Sequence, residues 1–296
     1  MSDFTVFPPA PAPVSDVLAH VTHRLAQTGI LDADVDAEWL VGHVLELGRG
    51  AVQAAAIVGT ALTDAQLAAL ASLVARRAAR EPLQHITGLA AFRRLSLNVG
   101  PGVFVPRPET EGVAQFAIDA LRAEASPAPI GIDLGTGSGA IALAMATEVP
   151  NARIFAAENS PEAFPWTRRN FDEVGAPNAT LVFADLAVAF SELDGTVDVL
   201  ISNPPYVPDD AIPRDPEVRN YDPAVALFGG PDGLDVVRVL SVTAQRLLRP
   251  GGVLIIEHGE LQGRAIRELL TADGWRATAT HPDLTMRDRA TTALRP

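Results

Sequence analysis

Residues Ile130 to Ala146 read "IGIDLGTGSGAIALAMA": a short apolar run, a turn holding three alternating glycines, and then a run with the spacing of a helix. Glycines let the chain turn sharply and bring its backbone against a ligand, and a helix beginning at Ala140 offers its first amides there. The turn lacks the lysine of a phosphate-binding P-loop, and its glycines close one residue too early for a dinucleotide fingerprint. Asp133, just before the first glycine, repels a pyrophosphate and suits an ammonium or a water bridge to one.

Four further apolar runs follow or precede helical stretches: "ARIFAAENS", "ATLVFADL", "VDVLISNPP" and "GGVLIIEHG". Short apolar strands alternating with helices predict an α/β fold with a parallel, doubly wound sheet, whose ligands gather at the carboxyl ends of its strands. Glu158 ends the second strand, about 20 residues beyond the glycines, where an acid can accept both hydroxyls of a ribose; a solvated loop acid is the plainer alternative. Asp185 ends the third, placed either to accept from an exocyclic amine such as adenine's or to cap a helix. Together the three carboxylates describe a cofactor with a cation, a ribose and an adenine but no phosphate. S-adenosylmethionine has that composition.

The fourth strand runs into "VLISNPPYVP", Val199 to Pro208. Two prolines fix φ and remove two amide donors, so the strand must stop and present an extended, stiff segment. "NPPY", Asn203 to Tyr206, following "DLGTGSG", resembles the signature of methyltransferases that modify planar exocyclic or amide nitrogens. With "EPLQHITG", "VFVPRPETE", "PAVALFGGPDGLD" and "LTMRDRA", the chain resembles the HemK family, the release factor glutamine methyltransferases, over nearly its whole length. The resemblance implies a class I methyltransferase, with a seven-stranded sheet whose last strand is antiparallel and a small N-terminal helical domain. It implies that Gly135, Thr136, Gly137, Ser138 and Gly139 line the methionine part of the cofactor, that Glu158 holds the ribose and that Leu186 flanks the adenine. Asn203, Pro204, Pro205 and Tyr206 hold the target glutamine, with Asn203 also bordering the cofactor. Two departures stand out. Glu158 replaces a common aspartate, and "FRRL" at Phe92 to Leu95 lacks the usual aromatic-glycine pair.

The motif makes chemical sense. An amide nitrogen is a poor nucleophile because its lone pair is delocalised into the carbonyl. Asn203 can accept one amide hydrogen through its side-chain oxygen and the Pro204 carbonyl the other, drawing density onto nitrogen. The prolines stiffen that carbonyl, and Tyr206 can stack on the planar amide and exclude water.

The remaining sequence sets bounds. Apolar spacing predicts helices over Val14 to Ile30, capped by Ser15, and over Val35 to Leu47, and a long one opened by a capping box at Thr63 and Gln66. Residues 1–80 therefore read as a small helical bundle, which either pads the fold or, as the resemblance implies, docks a macromolecular substrate; 81–108 read as a strand-pair connector, and 109–296, by the resemblance, as the methyltransferase domain, whose first helix covers Thr110 to Arg122. The chain of 296 residues carries a net charge of −13, which disfavours stable binding to nucleic acid or an anionic membrane. It has no cysteine, hence no disulfide or thiol nucleophile. No metal-ligand spacing is seen: His85, His258 and His281 are scattered, and they read as packed or capping residues. Glu257 and His258 follow the fifth strand, with cleft-lining and structural roles both open. The long loop from Val207 to Gly230 has the length of a substrate lid, an ordered surface excursion being the plainer alternative. The expectation is a monomeric cytoplasmic enzyme that methylates a glutamine of a class I release factor and yields S-adenosylhomocysteine. The alternative is an adenine-N6 methyltransferase acting on DNA or RNA.

Overall fold

The computed structural model describes residues 7–296, so the first six residues of the proline-rich leader lie outside it. Two units emerge: one runs up to Gly88 and takes in Asp215–Tyr221, and the other comprises Leu89–Arg214 and Asp222–Pro296. Among the described residues no helix is long and apolar enough to cross a membrane.

In the first unit, α1 (Val14–Ala26), α2 (Ala33–Leu45), α3 (Arg49–Val58), α4 (Asp64–Ala78) and the short α5 (Leu83–Thr87) share one core, with a two-residue pairing of β1 (Ala12–Pro13) and β2 (Ala61–Leu62) beside them. Val14, Val17, Val21 and Leu25 form the buried stripe of α1 at the spacing a helix needs. The capping box of α4 is present: Thr63 Oγ1 accepts from Gln66 N at 3.4 Å, and Gln66 Oε1 accepts from Thr63 N at 2.9 Å. Ser15 does not cap α1. That helix starts directly after Pro13, and the Ser15 hydroxyl turns to Asp16. Helix α3 escapes a reading by pattern because it buries only Val52 and Ala55.

The middle of the long loop belongs to this unit. Asp215–Tyr221 includes a short helix, Pro216–Tyr221, held by a buried ion cluster. Arg77 donates to Asp36 at 2.6 Å and to Glu217 at 2.7 Å, while Arg80 donates to the other Glu217 oxygen at 2.7 Å. Nothing local in the sequence announces a partner 140 residues away.

The second unit opens with the hairpin β3 (Leu89–Phe92) and β4 (Leu95–Asn98), then α6 (Pro108–Ala123). Helix α6 starts two residues before the expected Thr110 because a proline fits the first helical position, where its missing N–H is not needed. Then come β5 (Ile130–Leu134), α7 (Ala140–Glu148), β6 (Arg153–Glu158), α8 (Phe164–Val174), β7 (Ala179–Phe183) and β8 (Val197–Ser202). The helix Pro216–Tyr221, named above, is α9 in chain order; α10 (Ala224–Leu227), α11 (Asp235–Leu247), β9 (Leu248–Glu257), α12 (Gly263–Ala272), β10 (Arg276–Pro282) and β11 (Asp288–Leu294) complete the chain.

The seven strands lie in the order β10-β11-β9-β8-β5-β6-β7. Pairing is parallel from β9 through β7, while β11 runs antiparallel to both of its neighbours. Side chains alternate between two cores: Val199, Ile201 and Ile255 pack on the face with α6 and α7, while Leu200, Leu254 and Ile256 pack on the face with α11 and α12. This alternation decides which way each residue past a strand end points.

Candidate active site

At the end of β5, the amides of Gly135 and Thr136 both donate to the Ala157 carbonyl, at 2.9 and 3.0 Å, tying the glycine turn to β6. Gly135 and Gly137 sit at φ +71° and +57°, which a side chain would strain. A Cβ at either would meet nothing within 4 Å, so the turn keeps open space above it. Ser138 is buried, and its carbonyl accepts from Asn170 at 2.9 Å. Asp133 is 1 % exposed; Oδ2 accepts from the Thr136 hydroxyl at 2.5 Å and from Ala142 N at 3.1 Å, while Oδ1 is buried without a partner among the described residues. Burial pushes the Asp133 carboxyl up to about 7. An orphaned acceptor beside an open glycine turn fits a ligand that brings an ammonium.

Glu158 is found at the end of β6, but its oxygens are already engaged. Oε2 accepts from Gly137 N at 2.8 Å, and Oε1 accepts from Asn159 N at 3.0 Å and Ser160 N at 2.8 Å. The carboxylate is therefore a strut of the glycine turn. A ribose hydroxyl can be accepted only at the one lone pair left on Oε2. Asp185 is exposed and caps the turn after β7 by accepting from Ala187 N at 2.8 Å; its second oxygen is 3.4 Å from Asn159 Nδ2. Leu186 is half-buried against the α11 side of the core.

Asn203 lies at the same level, one strand over. β5 and β8 pair through Asp133 and Ile201, so the glycine turn and the NPPY segment leave neighbouring strands side by side. Ser202 Oγ donates to the Leu134 carbonyl at 2.7 Å and pins the junction. Pro204 is buried, and Asn203, Pro205 and Tyr206 are half-buried. Among the described residues nothing takes up the Asn203 side chain or donates to the Pro204 carbonyl. Burial pushes the Tyr206 hydroxyl up to about 12, so it stays protonated.

Two supports of this segment were not assigned a role from the sequence. Gln262 donates to the Tyr206 carbonyl at 2.9 Å, and its own carbonyl accepts from Gly259 N at 2.9 Å. The "LFGGPDGLD" stretch, Leu227 to Asp235, folds against the motif: Val207 N donates to the Leu227 carbonyl at 2.8 Å and Gly229 N to the Val207 carbonyl at 2.9 Å. A Cβ at Gly229 would strike the Pro205 carbonyl, and one at Gly233 the Tyr206 carbonyl. The glycine pattern was the available signal, since close backbone approach demands it.

The histidines are structural. His258 pairs with the Gly259 carbonyl and the Thr291 hydroxyl, each at 2.9 Å, and His281 packs its ring on Phe116 at 4.7 Å. His85 is buried in α5. Phe92 is fully buried in the core below the sheet, so it lines no pocket.

Comparison with known proteins accords with this geometry. Residues 16–88 match the family described as the PrmC N-terminal domain, and residues 95–215 match the methyltransferase small domain. A release factor glutamine methyltransferase of Streptomyces coelicolor is 49% identical, covering 93% of this chain and 96% of the relative. A 4-amino-L-phenylalanine/4-methylamino-L-phenylalanine methyltransferase of Streptomyces pristinaespiralis is 37% identical, covering 95% of each. The solved structure of a methyltransferase from Pyrococcus furiosus is similar in fold, with a TM-score of 0.51, 21% identity and coverage of 69% of this chain and 91% of that one. A chain 49% identical over 93% of its length to such an enzyme, with the glycine turn and the NPPY segment on adjacent strands, belongs to the release factor glutamine methyltransferase family.

Proposed function

We propose that this protein transfers a methyl group from S-adenosylmethionine to the side-chain amide nitrogen of a glutamine, in the Gly-Gly-Gln loop of a class I release factor. One observation carries the reading: two acceptors without partners among the described residues, the Asn203 side chain and the Pro204 carbonyl, leave the sheet beside the glycine turn. They match the two hydrogens of one NH₂ group. When bound, S-adenosylmethionine supplies an activated methyl on a sulfonium.

The chain's own residues hold and orient. The unpartnered Asp133 oxygen takes the ammonium, the backbone of Gly135 to Gly139 with Thr136 and Ser138 borders the methionine part, and the remaining Glu158 lone pair takes a ribose hydroxyl. Leu186 and Asp185 flank the adenine. Asn203 and Pro204 fix the amide plane and localise its lone pair; Pro205 keeps the segment stiff and Tyr206 covers the amide. The selectivity for a protein comes from the helical unit, which docks the release factor away from the reacting loop. Incubating the protein with S-adenosylmethionine and purified release factor, then sequencing the methylated peptide by mass spectrometry, tests the assignment. Methylation of an aromatic amine with none of the release factor would move the acceptor to the chemistry of the Streptomyces pristinaespiralis relative.

A further inference from the structure

Glu257 ends β9, is 1 % exposed, and has one carboxylate oxygen without a partner among the described residues. The other accepts from the Thr110 hydroxyl at 3.0 Å. An unpaired buried polar group is costly, and native folds keep few of them without a reason. Its position suggests the reason. Ser202 on β8 stands opposite Ile256 on β9. The pairing ends there, and one residue past it the same register would bring Glu257 level with Asn203, at the roughly 4.8 Å that separates neighbouring strands.

Direction agrees with position. Ile256 enters the core on the α11 side, so alternation turns Glu257 toward α6, where Thr110 meets it. Ile201 packs on the α6 side and Leu200 on the α11 side, so the alternation of β8, carried one residue past its end, would turn Asn203 toward α6 as well. The charged groups within electrostatic reach of Glu257 are Arg289 on β11 and Glu109 in the first turn of α6, and the Tyr206 phenol is a further neighbour. The positive end of α6 faces the carboxyl as well.

The transfer leaves a proton to dispose of. The oxygens of Asn203 and Pro204 are neutral and can hold an N–H but cannot keep its proton, and Tyr206 is already protonated. We propose that Glu257 is the proton acceptor of the reaction, its free oxygen taking the proton that leaves the amide nitrogen. The nitrogen lone pair forms the new N–C bond, and the breaking C–S bond leaves its pair on sulfur. The N–H pair stays on nitrogen as the proton passes to Glu257, which returns it to solvent when the product leaves. Burial holds the Glu257 carboxyl up at about 8 against the opposing effects of Thr110 and Arg289. Its basic form therefore grows as pH passes 8.

This assignment rests on the glutamine-amide reading of the acceptor. Its test compares the full-length protein with E257Q, which preserves shape and can keep the Thr110 bond, on intact release factor between pH 6 and 9.5. Turnover of E257Q falls about 10²-fold or more, S-adenosylmethionine affinity by calorimetry stays within twofold of wild type, and the wild-type rise in rate toward pH 8 becomes flat. Infrared titration of the ligand-free protein shows a carboxyl band that disappears through pH 8 in wild type and is missing in E257Q. Wild-type turnover and pH profile in E257Q, with or without a change in melting temperature, overturn the proposal. Should the wild-type protein leave release factor unmethylated, the acceptor reading fails and the proton assignment falls with it.

Discussion

Replacing Glu158 by glutamine removes a charge while keeping the outline of the side chain, and the hydrogen bonds around it set the cost. The carboxylate satisfies three backbone amides, of Gly137, Asn159 and Ser160. Glutamine has one carbonyl oxygen and one NH₂ group. If the oxygen keeps Asn159 and Ser160, the NH₂ faces the Gly137 N–H, donor against donor; the opposite flip loses two bonds instead of one. At least one charge-assisted hydrogen bond disappears, about 1.5–3 kcal/mol. The glycine turn is the part that gives way, and the ligand must re-form it on binding. The expected loss in S-adenosylmethionine affinity is about tenfold to a hundredfold. Isothermal titration calorimetry reads the affinity, and a thermal melt shows whether the protein remains folded. Glu158→Asp separates the strut from the charge: one methylene shorter on this backbone, it keeps the charge and should lose the bond to Gly137, weakening binding comparably. Aspartate binding like wild type would mean that charge alone matters, and wild-type affinity in E158Q would refute the strut altogether.

Asn203→Ala should leave cofactor affinity nearly unchanged and lower turnover about 10²-fold, the pattern of an interaction felt mainly in the transition state; single-turnover kinetics measure it. Asp133→Asn should change the pH dependence of stability. The native carboxyl holds its proton up to about 7 against an ordinary 3.8, so the folded state binds more protons than the unfolded one in that window and loses stability as pH rises through it. The variant removes that loss, and the difference in melting temperature between pH 5 and 8 should shrink. Glu217 behaves oppositely. Burial raises its carboxyl, but hydrogen bonds with Asp215, Arg80 and Arg77 outweigh this and bring it down to about 2 from 4.5. It stabilises the helical unit above the ordinary value and ceases to as pH falls toward 2, an acid-side transition that Glu217→Gln should remove from a circular dichroism titration. Ile57 and Val58 at the end of α3 are 85% and 77% exposed, so changing both to aspartate should spare stability. If this helix face docks the release factor, KM for the intact factor rises while that for a Gly-Gly-Gln peptide stays put.

The parts of the fold that were legible in the sequence were those set by local pattern. Five strands announced themselves as short apolar runs, four of them because strands deep in a covered sheet need near-continuous apolar residues, the edge strand β7 by its apolar composition although it is only half-buried, and Thr63 with Gln66 announced α4 because a capping box is a four-residue device. β10 and β11 were not visible in this way: "RATATHP" and "DRATTAL" are built of alanine and threonine around charges, as suits strands toward the edge of a sheet. The helix Pro216–Tyr221 was hidden for a different reason, since its anchor is an ion cluster assembled from Asp36, Arg77 and Arg80, far away in the chain. At the site, the strand-end rule located Asp133, Glu158, Asp185 and Asn203. It could not show that three amides already occupy Glu158, that Gln262 braces Tyr206, or that Glu257 carries a free oxygen, because each depends on register between strands or on loop packing.

Where the methyl group goes decides the acceptor. Purified protein, S-adenosylmethionine carrying a labelled methyl, and equal amounts of class I release factor, duplex DNA, RNA and 4-amino-L-phenylalanine are incubated together, and the labelled product is identified by mass spectrometry. Label is expected on the side-chain nitrogen of the glutamine in the Gly-Gly-Gln loop, at a rate that Asn203→Ala lowers sharply. Label on adenine or on the aromatic amine, with the release factor unmodified, would contradict the glutamine-amide reading of the acceptor.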